Sequence, residues 1–146
     1  MAVTDEQHAL SWERQQAELW DRIFQVTNDV VVLADGLEGT SGSAVVQREM
    51  VQSAMAVGVH LVRANAADTA LAFREHLHDA RMQAVETDYW LRMAYVLQQG
   101  EEVQRDLTSV ISQYTAIVDL LQKFLRHARM EKDVVAKHGK GPKVTG

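Results

Sequence analysis

The residues best suited to chemistry lie between positions 60 and 90. Glu75-His76-Leu77-His78-Asp79 sets Glu75 and His78 at the Glu-x-x-His spacing with which helical bundles hold di-iron and di-manganese centres. Such a centre draws that motif from two helices and a further carboxylate from each of the other two. No second Glu-x-x-His occurs in the chain, so this one is expected to be exposed helix surface. Glu75 and Asp79, at i and i+4 with His78 nearby, offer a stray cation only weak binding. His60, among Val57, Val59, Leu61 and Val62, reads as a hydrogen-bonded histidine of the core or of an interface.

Glu86 and Asp88 are the other acidic pair. If Ala84 and Leu91 face the core, Asp88 falls at the heptad position between them. A carboxylate there needs a partner to offset its desolvation. Arg63, Arg48 or a neighbouring subunit would serve, and a salt bridge of Arg63 with Glu86 and Asp88 that fixes register is the expected arrangement. Two carboxylates without a cleft make no acid–base pair. The glycine-rich stretch from Gly36 to Ser43 lacks a P-loop lysine and follows a helix, so it reads as a flexible connection. The chain has no cysteine, and no Ser/His/Asp nucleophile can be assembled. No catalytic residue, cofactor or metal is therefore assigned, and a non-enzymatic protein is expected.

Four helices carry these residues, over about 5–35, 44–65, 69–99 and 101–137. Thr4 or Asp5 is suited to cap the first, and its apolar stripe runs Trp12, Leu19, Ile23, Val26, Val30, Leu33. Gly36 can end it in a left-handed conformation. The second helix repeats Val46, Met50, Ala54 (or Ser53), Val57, Leu61, Ala64. Asp68 or Thr69 caps the third, with Phe73, Leu77, Ala80, Ala84, Leu91 and Ala94 along one side. The fourth opens on Glu101-Glu102, at the positive end of its dipole, and has the cleanest heptad: Val103, Leu107, Val110, Tyr114, Ile117, Leu121, Phe124, Ala128. Residues 138–146 are expected to form a disordered basic tail. The fold class is all-α, an up-down-up-down antiparallel four-helix bundle, in one domain of 1–137.

The apolar residues exceed what one bundle interior takes, about three positions in seven. Val51, Met55, Gly58 and Val62 make a second stripe on the second helix, and Met82, Val85, Tyr89, Met93 and Leu97 one on the third. Trp20 and Phe24 lie one residue off the main stripe of the first helix, and Trp90 off that of the third. A wide core stripe with aromatic edges is one explanation; the other makes Trp20, Phe24, Tyr89 and Trp90 the candidate interface of a homo-oligomer.

Net charge is −5, against a general nucleic-acid coat, but it is unevenly spread. From Lys123 onward there are seven basic and two acidic residues, leaving 8 basic and 18 acidic in residues 1–122. Dipole-complementary charge and a solubilising tail explain this simply; a patch for nucleic acid at Lys123, Arg126, Arg129 and Lys132 is the sharper alternative. Membrane-surface binding is disfavoured, since no bulky apolar residues interleave the charges, and no run is long enough to cross a bilayer. The polar, acidic N-terminus resembles no export signal, so a cytoplasmic location is expected.

Phe73 to Leu91, with Glu86-x-Asp88 ahead of the apolar Leu91, resembles the third-helix signature of the 23S rRNA intervening-sequence (four-helix bundle) proteins. Leu19-Trp20 and Ile23-Phe24 on the first helix, and residues 47–64 on the second, are similar to that family in length and order, and the likeness spans about residues 8–128. Where the family carries a Ser-Asn-Ile-Ala-Glu-Gly-like turn, this chain has Val59-His60-Leu61-Val62-Arg63-Ala64. The resemblance implies a cytosolic ring of five subunits, a homopentamer without established enzymatic activity. A sister group, the accessory proteins of diversity-generating retroelements, implies the alternative of a nucleic-acid-associated accessory factor that also binds a reverse transcriptase. The leading expectation is a scaffold or interaction module, with a protein partner beside its own copies.

Overall fold

The computed structural model describes residues 5–39 and 41–138, and side chains within 6–7, 11–39 and 41–128. Four helices follow one another: α1 Asp5–Asp35, α2 Ser41–Asn65, α3 Ala70–Leu97 and α4 Glu101–His138. Each packs on two neighbours, α1 on α2 and α4, α3 on α2 and α4, and among the described residues neither diagonal pair brings its backbones together. With connections of a few residues this is the antiparallel four-helix bundle that the periodicity predicts. The expected tail beyond His138, and Thr4, lie outside the described residues.

The core is the set of stripes read from spacing. Leu19, Ile23, Val26 and Val30 meet Met50, Val57 and Leu61, with Leu77, Leu91, Leu107, Ile117 and Leu121 opposite, all buried. Backbones approach most extensively between α2 and α3 and least between α1 and α4. Side-chain size accounts for the difference. Buried positions of α2 and α3 are rich in Ala54, Ala64, Ala80, Ala84, Ser53 and Thr87, whereas Ile23, Tyr114, Ile117 and Phe124 fill α1 and α4. Trp12 of α1 reinforces that wider seam, its ring 4.2 Å from Phe124.

The phase of α3 differs from expectation by one residue. Thr87, not Asp88, occupies the core position between Ala84 and Leu91, and is fully buried. Its hydroxyl lies 2.8 Å from the Gln83 carbonyl and 2.9 Å from Ser53 Oγ on α2. A polar side chain enters the core because both of its partners are already there.

The helix ends also correct the sequence reading. Gly36 does not turn left-handed; its N–H bonds the Leu33 carbonyl at 3.1 Å, tightening the last turn, and the positive φ of 132° falls on Gly39. α2 begins at Ser41, so the connection is shorter than predicted. Thr69 is the N-cap of α3, accepting from Ala72 N–H at 3.0 Å. Three glutamines tie the end of the bundle where both αα turns lie. Gln47 Nε2 donates to the Ala34 carbonyl (2.7 Å), Gln98 Nε2 to that of Glu38 (2.8 Å) and Gln104 Nε2 to that of Gln98 (2.8 Å). Gln98 is buried and joins both turns. Gln98→Ala is expected to cost about 1 kcal/mol, because the freed Glu38 carbonyl regains water. The measurement is urea unfolding, and an unchanged midpoint would refute the clasp.

Tyr114 is buried completely in α4. Thr27 stands beside its hydroxyl but donates its own proton to the Ile23 carbonyl at 2.7 Å, and no partner reaches hydrogen-bond geometry with the phenol. Burial pushes the phenol far above the ordinary 10.0; the neighbouring Thr27 opposes this and Asp29 adds to it. A raised folded-state value keeps its stabilising effect below the unfolded value and loses it as pH climbs past that value toward the folded one. Tyr114→Phe should therefore be neutral or up to about 1 kcal/mol stabilising at pH 7. Above pH 10.0 the variant should lose less stability than the parent. Thermal unfolding at the two pH values decides it.

Candidate functional site

The candidate interface residues separate into two places. Trp20 and Phe24 line an open groove of about 580 Å³ between α1 and α2, with Met55, Val59, Val62 and Arg63 on its other wall. Phe24 is 79% exposed and Val62 66%, and in one groove they make a contiguous apolar patch of the kind that marks interaction surfaces. Trp20 is half-buried, with its ring edge-on to Phe124 at 6.3 Å and its indole N–H without an acceptor. Tyr89 and Trp90 lie on α3, which does not touch α1, and stack edge to face at 5.0 Å. Tyr89 is exposed beside Met82 and Val85, the second stripe of α3. Met55 and Val62 of the second α2 stripe are exposed likewise.

Within one chain the expected bridge of Arg63 with Glu86 and Asp88 does not form. Asp88, one residue out of the core phase, turns to its own helix, and its Oδ2 pairs with Arg92 Nε at 2.9 Å. Its Oδ1 is buried and unpartnered. Glu86 is exposed, and Arg63 sits in the α1–α2 groove. Arg48 is 3.9 Å from Glu49, a loose surface pair of small energetic consequence. Lys123 and Arg126 are exposed on α4, and the side chains of Arg129 and Lys132 lie outside the described residues.

Glu75 and His78 are exposed, as expected, whereas His60 departs from the sequence reading. Glu75 and His78 face a shallow groove shared with Gln122 and Leu125 of α4. His60 is not hydrogen-bonded; it stacks on His76, ring centroids 6.4 Å apart and planes 28° from parallel. Asp79, one turn along α3, completes a cluster in which one ligand atom from each of His60, His76 and Asp79 lies within 4.8 Å of the others. The i, i+3 spacing of His76 and Asp79 was visible in the sequence. Their pairing with His60 depends on how α2 sits against α3, which no local pattern encodes.

No helix among the described residues is long and apolar enough to cross a membrane. No protein-family model matches the chain, and no curated protein matches it. Among solved structures, a protein of unknown function from the S23 ribosomal protein family of Bacteroides thetaiotaomicron superposes with a TM-score of 0.68 at 21% identity, over 77% of this chain and 98% of that one. The chain thus shares the helical-bundle fold of an S23-family protein, and at that identity the likeness carries the fold alone.

Proposed function

We propose that this chain is a non-enzymatic oligomeric bundle, a cytoplasmic scaffold or interaction module that assembles with its own copies into a ring. The observation that carries the reading is the exposed apolar groove of Trp20, Phe24, Met55 and Val62, together with a separate exposed stripe around Tyr89. Burying such surface is worth roughly 25 cal/mol per Å², so two faces of this kind favour association. Because they lie on different helices, contact between one face and the other is head-to-tail, and head-to-tail contacts close rings when the rotation permits. The number five comes from the resemblance to the intervening-sequence proteins; the non-enzymatic reading rests on the lack of a catalytic motif in the sequence and agrees with that resemblance.

Light scattering of the purified chain at micromolar concentration tests the reading. A mass near five times the 16.4 kDa protomer is expected, and a monomer would overturn it. The accessory-factor alternative rests on the exposed Lys123 and Arg126. It requires RNA or DNA affinity that falls with salt and disappears when residues after Gln122 are removed.

A further inference from the structure

The geometry points to a transition-metal site at the α2–α3 seam, in which His60, His76 and Asp79 hold one divalent cation of the zinc class. Two imidazoles and one carboxylate suit zinc, cobalt, nickel or copper and disfavour magnesium and calcium, which take oxygen ligands. Zinc bonds nitrogen and carboxylate oxygen at about 2.0–2.2 Å, so its tetrahedral ligands stand roughly 3.4 Å apart. The three ligand atoms here lie within 4.8 Å of one another, so closing on a cation takes an adjustment of about an ångström.

A second observation singles this cluster out from ordinary surface groups. Nδ1 of His60 and Nδ1 of His76 are both buried and lack a hydrogen-bond partner. Buried polar nitrogens are normally paired, and leaving two side by side is costly. Neither imidazole is held by a structural bond that a metal would have to break. Asp79 is exposed and gives the site its mouth toward solvent. Three protein ligands leave a fourth position for water or for a group from a partner molecule. Ligands from two helices also make the cation a cross-link between α2 and α3, so binding must raise stability by mass action.

The test uses the full chain freed of metal by chelator and titrated with Zn²⁺ by calorimetry, with Co²⁺ absorption as a geometric probe. One Zn²⁺ per chain is expected, with a rise in Tm and a tetrahedral Co²⁺ spectrum. His60→Ala and His76→Ala should each weaken binding at least about tenfold, in line with the sensitivity of metal sites to ligand changes. Asp79→Asn, on an exposed residue that the fold does not need, should do likewise and covers the case in which a histidine variant misfolds. His78→Ala, at a histidine outside the three-residue cluster, should bind as the parent does. Absence of Zn²⁺ binding in the parent, or binding as tight as the parent's in both the Asp79 and His76 variants, overturns the site.

Discussion

Replacing Phe24 and Val62 together by lysine is expected to leave a 16.4 kDa protomer that is still folded and helical. Both side chains stand in the α1–α2 groove and are largely exposed within one chain, at 79% and 66%. Lysine is a good helix former, so the cost to the isolated bundle should stay within about 0.5 kcal/mol. At an interface the same change buries two ammonium groups among Trp20, Met55 and Val59, and lysine is depleted there for that reason. Light scattering should show the parent as an oligomer and the double variant as a protomer. The concentration dependence of Tm should disappear with it. Should the variant retain the mass of the parent, the groove is not the contact, and the α3 stripe around Tyr89 becomes the surface to change.

The groove was half legible in the sequence. Excess apolar residues at positions 55, 58 and 62 already required a second face on α2, and Trp20 and Phe24 stood off the main stripe of α1. Which two helices would share that face depended on tertiary order, and the sequence set grouped Tyr89 and Trp90 with residues that the fold places elsewhere. The core was legible more fully, because Met50, Val57, Leu61, Leu107, Ile117 and Leu121 repeat at helical period and are all buried. Asp88 was misplaced by one residue for a definable reason. After Ala84 the heptad admits a step of three or four, and a threonine looks like surface until its hydroxyl finds Ser53 and the Gln83 carbonyl. The glutamine clasps and the His60–His76 stack share one cause of illegibility. Each joins residues from different helices or from the turns that connect them, and their meeting is fixed by register rather than by any local pattern.

That register yields the second large expected effect, at Ala80. The Ser53–Thr87 hydrogen bond sets α2 against α3, and the two helices run antiparallel. Seven residues on along α2 and seven back along α3 preserve both the level and, to about 20°, the facing side. The step leads from Ser53 to His60 and from Thr87 to Ala80, so Ala80 lies at the level of the histidine cluster. It is fully buried on the helix pair whose backbones approach most extensively, so a side chain as large as leucine would force the two apart. Ala80→Leu is expected to destabilise the bundle by about 1–3 kcal/mol, lowering Tm by up to roughly 10 °C. Much of the cost should appear as separation of α2 from α3, since Ser53, Ala54, Ala80, Ala84 and Thr87 keep the buried side of these helices small near position 80. The same displacement draws His60 away from His76 and Asp79, so a Zn²⁺-dependent rise in Tm should shrink more in this variant than in Gln98→Ala, at the turn end. Ala80→Ser, which adds one atom and can donate to a carbonyl of its preceding turn, should restore both stability and the metal response. A leucine tolerated at position 80 without loss of stability would mean that α2 and α3 can part freely, and neither the register nor the cluster built on it would survive that result.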